Sequence, residues 1–156
     1  RDMVWIFVYE CKPTSQGRIT LSSADPRAAP VIAPNLLSGN TAIGRTISGI
    51  HITRSLMEAG AIRPFVIEEA APGPDIRTDR ALEEWIRKTA MSTAHASGTC
   101  KMGQDPDAVV DERLRVRGVH NLRVADASIM PTIPSGNINA PTIMVGERAS
   151  AFILGQ

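Results

Sequence analysis

The stretch from Val109 to Ser150, VVDERLRVRGVHNLRVADASIMPTIPSGNINAPTIMVGERAS, carries the clearest local patterns in the chain. Two short β-prone pieces, Leu114–Val116 and Leu122–Ala125, are separated by turn residues at Arg117–Asn121. An irregular loop rich in Pro, Gly and Asn follows. The apolar residues of Ile143–Leu154 lie on nearly every side of a helical projection and predict a largely buried closing helix.

The start of this closing helix is predicted to favour a negative or electron-rich group. Pro141 suits the first helical position, and Asn139 or Ala140 suits the cap. The free N–H groups and the positive end of the helix dipole would then point towards the loop at Asn137–Asn139. The pattern does not identify the group that lies there.

A second informative stretch, STAHASGTCKMG, contains one of the three histidines of the chain. His95 is surrounded by side chains too small to bury it, namely Ala94, Ala96, Ser97 and Gly98. Its imidazole therefore has little local packing. On these residues alone, a structural role ranks ahead of a catalytic one.

The first half of the chain predicts a hairpin followed by two helices. Met3–Cys11 is predicted as a buried strand that pairs with a half-exposed strand RITLSS, which begins at Arg18. Ala24–Asn40 contains several prolines and is predicted as loop. Apolar residues at helical spacing predict helices over Thr41–Ala59, capped by Asn40, and over Asp79–Ala90.

Composition excludes several classes of function. The chain has 156 residues and a formal net charge of +1, without a basic cluster, which argues against a nucleic-acid partner. No apolar run approaches the roughly 18 residues of a membrane span, so we expect none, nor a signal peptide. Cys11 and Cys100 lack metal-ligand spacing, so we expect no metal site and two mostly buried free thiols. This is compatible with a reducing cytoplasm but does not decide the compartment.

HASGTCKMG together with the stretch quoted first closely resembles the C-terminal signature of glucose–methanol–choline (GMC) oxidoreductases, flavoenzymes that oxidise alcohols with FAD. The match is dense from His95 to Phe152, and KPTSQGRITLSSADPRAAPVIAPNLL resembles the start of that family's substrate domain. The resemblance implies an α+β fold: an antiparallel sheet flanked by helices, with a C-terminal strand and helix that complete a separate FAD-binding domain. It places the substrate-binding domain at residues 1–118 and the segment returning to the FAD-binding domain at residues 119–156.

The family's flavin-binding half, with its G-x-G-x-x-G turn, is missing from this sequence. We therefore expect that half as a partner, either another chain or a fragment. Without it, the chain would expose apolar helix faces, so we expect it to aggregate or to pair with its missing half.

The resemblance also implies the roles of individual residues. His95 matches the catalytic base, and Asn137 matches the group in the loop before the final helix that orients the substrate oxygen. Contacts to FAD, largely through backbone N–H groups, are implied at Asp126, Ala127, Ile138, Asn139, Pro141 and Thr142.

The function implied by the resemblance is FAD-dependent oxidation of a primary or secondary alcohol to an aldehyde or ketone. The substrate would be a small-molecule alcohol whose identity the sequence does not determine. Two alternatives stay open at this point. One is a non-oxidative enzyme of the same family, of the hydroxynitrile lyase or fatty-acid photodecarboxylase type, and the other is a non-catalytic subunit or interaction module.

Overall fold

The computed structural model describes residues 3–39 and 41–155. Within those residues it contains two short strands, three α-helices and two single 3-10 turns. They are β1 (Arg18–Thr20), β2 (Val31–Ala33), α1 (Ala42–Met57), α2 (Asp79–Thr89) and α3 (Asn139–Ile153), with the 3-10 turns at Arg63–Phe65 and Ala127–Ile129. The predicted α+β class, an antiparallel sheet with helices, is confirmed. The assignment of the last strand and helix to a separate FAD-binding domain stays a prediction.

The hairpin forms between different segments from those predicted. β1 pairs antiparallel with β2, so that Arg18 lies opposite Ala33. The prediction that Met3–Cys11 forms the partner strand is wrong, and β2 lies within the segment predicted as loop. Strand propensity expresses how well side chains fit a half-buried pleated surface, and most of Met3–Cys11 is exposed in this structure. Prolines on both sides of β2 keep it short, because proline cannot donate to a ladder.

One compact unit comprises the residues up to Gly17 together with Pro34–Met91. Its core forms between α1 and α2, which bury Ile47 and Ile50 against Leu82 and Ile86. Both predicted helices are confirmed to within two residues at each end. α2 is capped by Thr78, whose hydroxyl accepts a hydrogen bond from the Ala81 N–H at 3.2 Å. The predicted cap of α1, Asn40, lies outside the described residues.

The other compact unit comprises the hairpin and the residues from Ser92 onward. Its core consists of Val110, Leu114, Ile129, Met130, Val145 and Ala149. The two predicted β-prone pieces meet as an isolated antiparallel bridge, Arg115 with Arg123, and the predicted turn lies between them. The division at Met91 does not coincide with the predicted boundary at residue 118. That boundary concerns the junction with a flavin-binding half and stays a prediction.

α3 differs from its prediction in burial and in its first residue. Val145 and Ala149 are buried, whereas Ile143 and Met144 are 61% and 55% exposed, so the prediction of a largely buried helix is wrong for the described chain. Only one face of α3 meets the core of its unit. The helix begins at Asn139, which makes Pro141 its third residue, and Ile138 occupies the cap without a side-chain bond. Proline is accepted there because first-turn N–H groups have no acceptor inside the helix.

Candidate active site

An open cleft of about 560 Å³ brings most of the predicted site residues together. It is lined by Ala94, His95, Ala96, Asp126, Ala127, Ser128, Ile138, Asn139 and Thr142. Of the predicted residues, Asn137 and Pro141 do not line it. The sequence identifies Ala94 and Ala96 as small neighbours that leave room beside His95, whereas Ser128 was not predicted to line the site, although its proximity to Asp126 could have suggested it. All lining residues belong to the unit that comprises the hairpin and the residues from Ser92 onward.

The wall that carries His95 is built from tight turns. Ala94 has a positive φ of 60°, and its N–H donates to the Ser92 hydroxyl at 3.0 Å. Gly98 has a φ of +92°, which a residue with a side chain rarely adopts. The Lys101 N–H donates to the Gly98 carbonyl at 3.2 Å and closes the turn after the histidine. These turns present a half-buried His95 to the cleft with only small neighbours around it.

The second wall is the 3-10 turn Ala127–Ile129 and its cap. The Asp126 carboxylate accepts a hydrogen bond from the Ser128 N–H at 2.8 Å. The Asp126 carbonyl accepts from the Ile129 N–H at 3.3 Å. This cap was not predicted from the sequence, where the family resemblance implies only a backbone role for Asp126, although an aspartate that bonds the amide two residues later is a common turn signal.

Backbone hydrogen bonds join these two walls. The Cys100 N–H donates to the Ser128 carbonyl at 3.0 Å, and the Met102 N–H donates to the Ile129 carbonyl at 2.8 Å. The segment after His95 therefore runs alongside the 3-10 turn. Ile129 is buried in the same core as Val145 of α3, so the turn is fixed on its other side as well.

The third wall is the first turn of α3. The Thr142 N–H and hydroxyl both donate to the Ile138 carbonyl, at 2.9 and 2.7 Å. The N–H groups of Asn139 and Ala140 have no acceptor inside the helix. Neither donates to another described residue. Together with the helix dipole, these donors suit an electron-rich edge of a bound group.

Asn137 lies just before α3 and is exposed. It follows Gly136, whose φ is +152° and whose N–H donates to the Pro134 carbonyl at 2.8 Å. The structure does not bring Asn137 into the cleft beside His95. Their pairing in one reaction therefore stays a prediction.

Ionised groups beyond the cleft stabilise the loops that follow the His95 segment. The Lys101 ammonium donates to Asp105 at 2.8 Å, which raises the pKa of Lys101 and lowers that of Asp105. Burial acts to raise the pKa of Asp111. Bonds from the Arg115 guanidinium and from the backbone N–H groups of Arg115 and Arg113 outweigh it, so the pKa lies below its usual value. These carboxylates are therefore committed to structure and are not acid–base candidates.

In the part of the chain that the structure describes, neither cysteine belongs to a group of side chains that could ligate a metal. Cys11 is exposed and Cys100 is half-buried, and both are free. The expectation of mostly buried thiols is therefore wrong for Cys11. Within residues 3–39 and 41–155, no group of three or more His, Cys, Asp or Glu side chains could hold a metal ion. In the same residues no helix has the length and apolar character needed to cross a membrane.

Comparison with known proteins identifies the family. The protein-family model for GMC oxidoreductases matches residues 13–146 of the chain. The chain belongs to the GMC oxidoreductase family. The match confirms the resemblance drawn from the His95 motif and from the segment before α3, and it corresponds to the family's C-terminal portion.

The curated relatives of this GMC chain are much longer than it is. It is 47% identical to human mitochondrial choline dehydrogenase, over 97% of this chain and 26% of the relative. It is 44% identical to alcohol dehydrogenase [acceptor] of Pseudomonas putida, over 96% of this chain and 27% of the relative. The chain thus spans about a quarter of the length of these proteins.

Solved structures of the family share the fold of this GMC chain. Pyridoxine 4-oxidase from Mesorbium loti matches with a TM-score of 0.85 and 29% identity, over 94% of this chain and 28% of that protein. Formate oxidase from Aspergillus oryzae, solved in a study of FAD modification, matches with a TM-score of 0.85 and 30% identity. That match covers 92% of this chain and 25% of the formate oxidase.

Proposed function

We propose that this chain forms one side of the active site of an FAD-dependent oxidoreductase that oxidises a primary or secondary alcohol to an aldehyde or ketone. The observation that carries the proposal is the cleft in which His95 lies together with the first turn of α3. Membership of the GMC family supports it, as do relatives named for choline and alcohol oxidation. The relatives are about four times longer than this sequence, and we propose that the FAD-binding half lies in the remaining part of that length.

The residues that line the cleft fit a flavin. Ala94, Ala96 and Ala127 carry no bulk that would keep a flat ring from the backbone. The Asn139 and Ala140 N–H groups are available as donors at the positive end of α3. These donors, with the backbone at Asp126 and Ala127, are the groups that would hold the cofactor. FAD, when bound, supplies the acceptor for the hydride that leaves the alcohol carbon.

His95 is proposed to take the hydroxyl proton of the alcohol. Imidazole changes charge near neutral pH, so its neutral form can accept a proton under physiological conditions. The alcohol loses this proton from oxygen and a hydride from carbon, which leaves a carbonyl. Asn137 cannot titrate, and we propose that its amide orients the substrate oxygen.

Replacement of His95 by Ala tests the proposal in the flavin-loaded protein that contains the FAD-binding half. We expect kcat to fall by about 10²–10⁴, the usual contribution of a positioned general base, while the visible flavin absorption is kept. His120→Ala is the matched control, because His120 lies exposed in the turn before Asn121. A His95→Ala protein that still oxidises alcohols at the rate of the control would contradict the assignment. A panel of alcohols assayed in the dark would separate oxidation from lyase and photochemical activity.

A further inference from the structure

The 3-10 turn Ala127–Ile129 is the element through which the His95 segment and α3 are joined, and one side chain fixes its geometry. We propose that Asp126 is a positioning residue for His95, and that it acts as the hydrogen-bonding cap of this turn rather than as a charge. The inference rests on the proposed function, because it assumes that the position of His95 matters for the reaction.

The Asp126 carboxylate makes a hydrogen bond to the backbone of the turn. Asp126 accepts from the Ser128 N–H at 2.8 Å and thereby sets the direction of the turn. The backbone φ of Asp126 is −144°, an extended conformation from which the side chain can reach forward to the turn. Without this bond, the Ser128 N–H would lack its partner at the first turn.

The 3-10 turn holds the segment that follows His95. Its carbonyls at Ser128 and Ile129 accept the N–H groups of Cys100 and Met102, at 3.0 and 2.8 Å. The segment that they hold begins a few residues after His95. A Cβ atom at Gly98 would lie 3.4 Å from the Met130 carbonyl, so the two segments are also in close contact there. A change in the direction of the turn would therefore move the wall that carries His95.

The contacts of Asp126 distinguish a hydrogen-bonding role from a role for its charge. Asp126 makes no ion pair with any described residue, whereas Asp105 and Asp111 each pair with a cation. Among the described residues, the one hydrogen bond of its side chain comes from a backbone N–H. Because an amide or hydroxyl oxygen can accept the same bond, the role we propose does not need a carboxylate.

Four substitutions distinguish the two possibilities. Asp126→Asn and Asp126→Ser keep an acceptor at cap distance and remove the charge, whereas Asp126→Glu keeps the charge and moves it one methylene away. Asp126→Ala removes both. If the alanine variant does not fold, the comparison of Asn with Glu still decides the question.

The first readout is amide hydrogen exchange at Cys100 and Met102, which does not depend on flavin or on turnover. We expect exchange at these two amides to be at least about fivefold faster in the Glu and Ala variants than in the Asn and Ser variants. The Glu and Ala variants lose the cap of the turn, so the hydrogen bonds that protect these amides open more often. Asp25→Ala is the matched control. Asp25 accepts from the Arg27 N–H at 3.0 Å in the same kind of turn, within the hairpin connection. Exchange that is slow in Glu and fast in Asn would overturn the inference.

The second readout is the split between kcat and KM in the flavin-loaded protein. We expect kcat to be at least about tenfold higher in Asp126→Asn than in Asp126→Glu, with KM changed much less, because a displaced base slows chemistry more than it weakens binding. Equal losses of kcat in these two variants would overturn the inference. Survival of activity in His95→Ala would instead overturn the proposed function and leave the exchange result intact.

Discussion

The segment Met3–Tyr9 and the region from Ser92 onward differ in how their strand propensity relates to the structure they form. In the later region, short pieces with weak strand propensity are held by turns and by backbone bonds to each other, and they enclose a core that contains Val110 at 0% exposure. In the early segment, a run with strong strand propensity forms no strand, and Trp5 and Phe7 are 69% and 72% exposed. Propensity alone therefore does not produce structure here. The local partners decide which segments become ordered into a core.

We expect the largest loss of stability from removal of a core side chain in the later region. Ile129 is 2% exposed and packs in the core that holds the 3-10 turn. We expect Ile129→Ala to lower the free energy of unfolding by about 2–5 kcal/mol, measured by chemical denaturation. Leu21→Ala is the control, because Leu21 is 87% exposed and should shift it by less than about 0.5 kcal/mol. Equal effects would mean that the later region has no specific core.

A smaller effect is expected at Asp111, whose carboxylate organises the loop that buries Leu114. Asp111 is 19% exposed and accepts from the Arg113 and Arg115 N–H groups, both at 2.9 Å. We expect Asp111→Ala to cost about 2 kcal/mol, since it removes bonds to a charged acceptor. Glu112→Gln is the control at the exposed neighbouring position.

The same residue gives a pH dependence with a definite sign. The pKa of Asp111 is lower in the folded chain than its usual value of 3.8. Its contribution to stability is therefore complete above that usual value, and it is lost as the pH falls through the lower folded value. Denaturation midpoints measured between about pH 5 and pH 2 should fall less steeply in Asp111→Asn than in the parent chain. Parallel curves would show that Asp111 does not contribute this acid sensitivity.

Helices were predictable from this sequence, and the pairing of strands was not. The spacing of Ile43, Ile47 and Ile50 depends on residues within one turn of each other, so α1 could be located to within two residues. The partner of β1 depends on a contact between segments, which propensity does not encode. His95 and Asn139 were identified by their positions in sequence motifs, and both line one cleft in the structure. The cap made by Asp126 could not be predicted in this way, because it depends on the direction in which a side chain points.

We expect the smallest change in stability from substitutions in the early segment, where association should change instead. The rings of Trp5 and Phe7 stack with centroids 6.5 Å apart while facing solvent. Because exposed apolar patches of this kind associate, we expect the isolated chain to self-associate. The double change Trp5→Ser and Phe7→Ser should reduce that association. It should change the free energy of unfolding by less than about 0.5 kcal/mol. Sedimentation velocity measures the association, and Leu21→Ser is a control that removes one exposed apolar side chain from the hairpin connection.

An isolated parent chain that sediments as a monomer would show that Trp5 and Phe7 do not need a covering surface. A chain that associates through them, and stops when the FAD-binding half is added, would identify that half as what covers them.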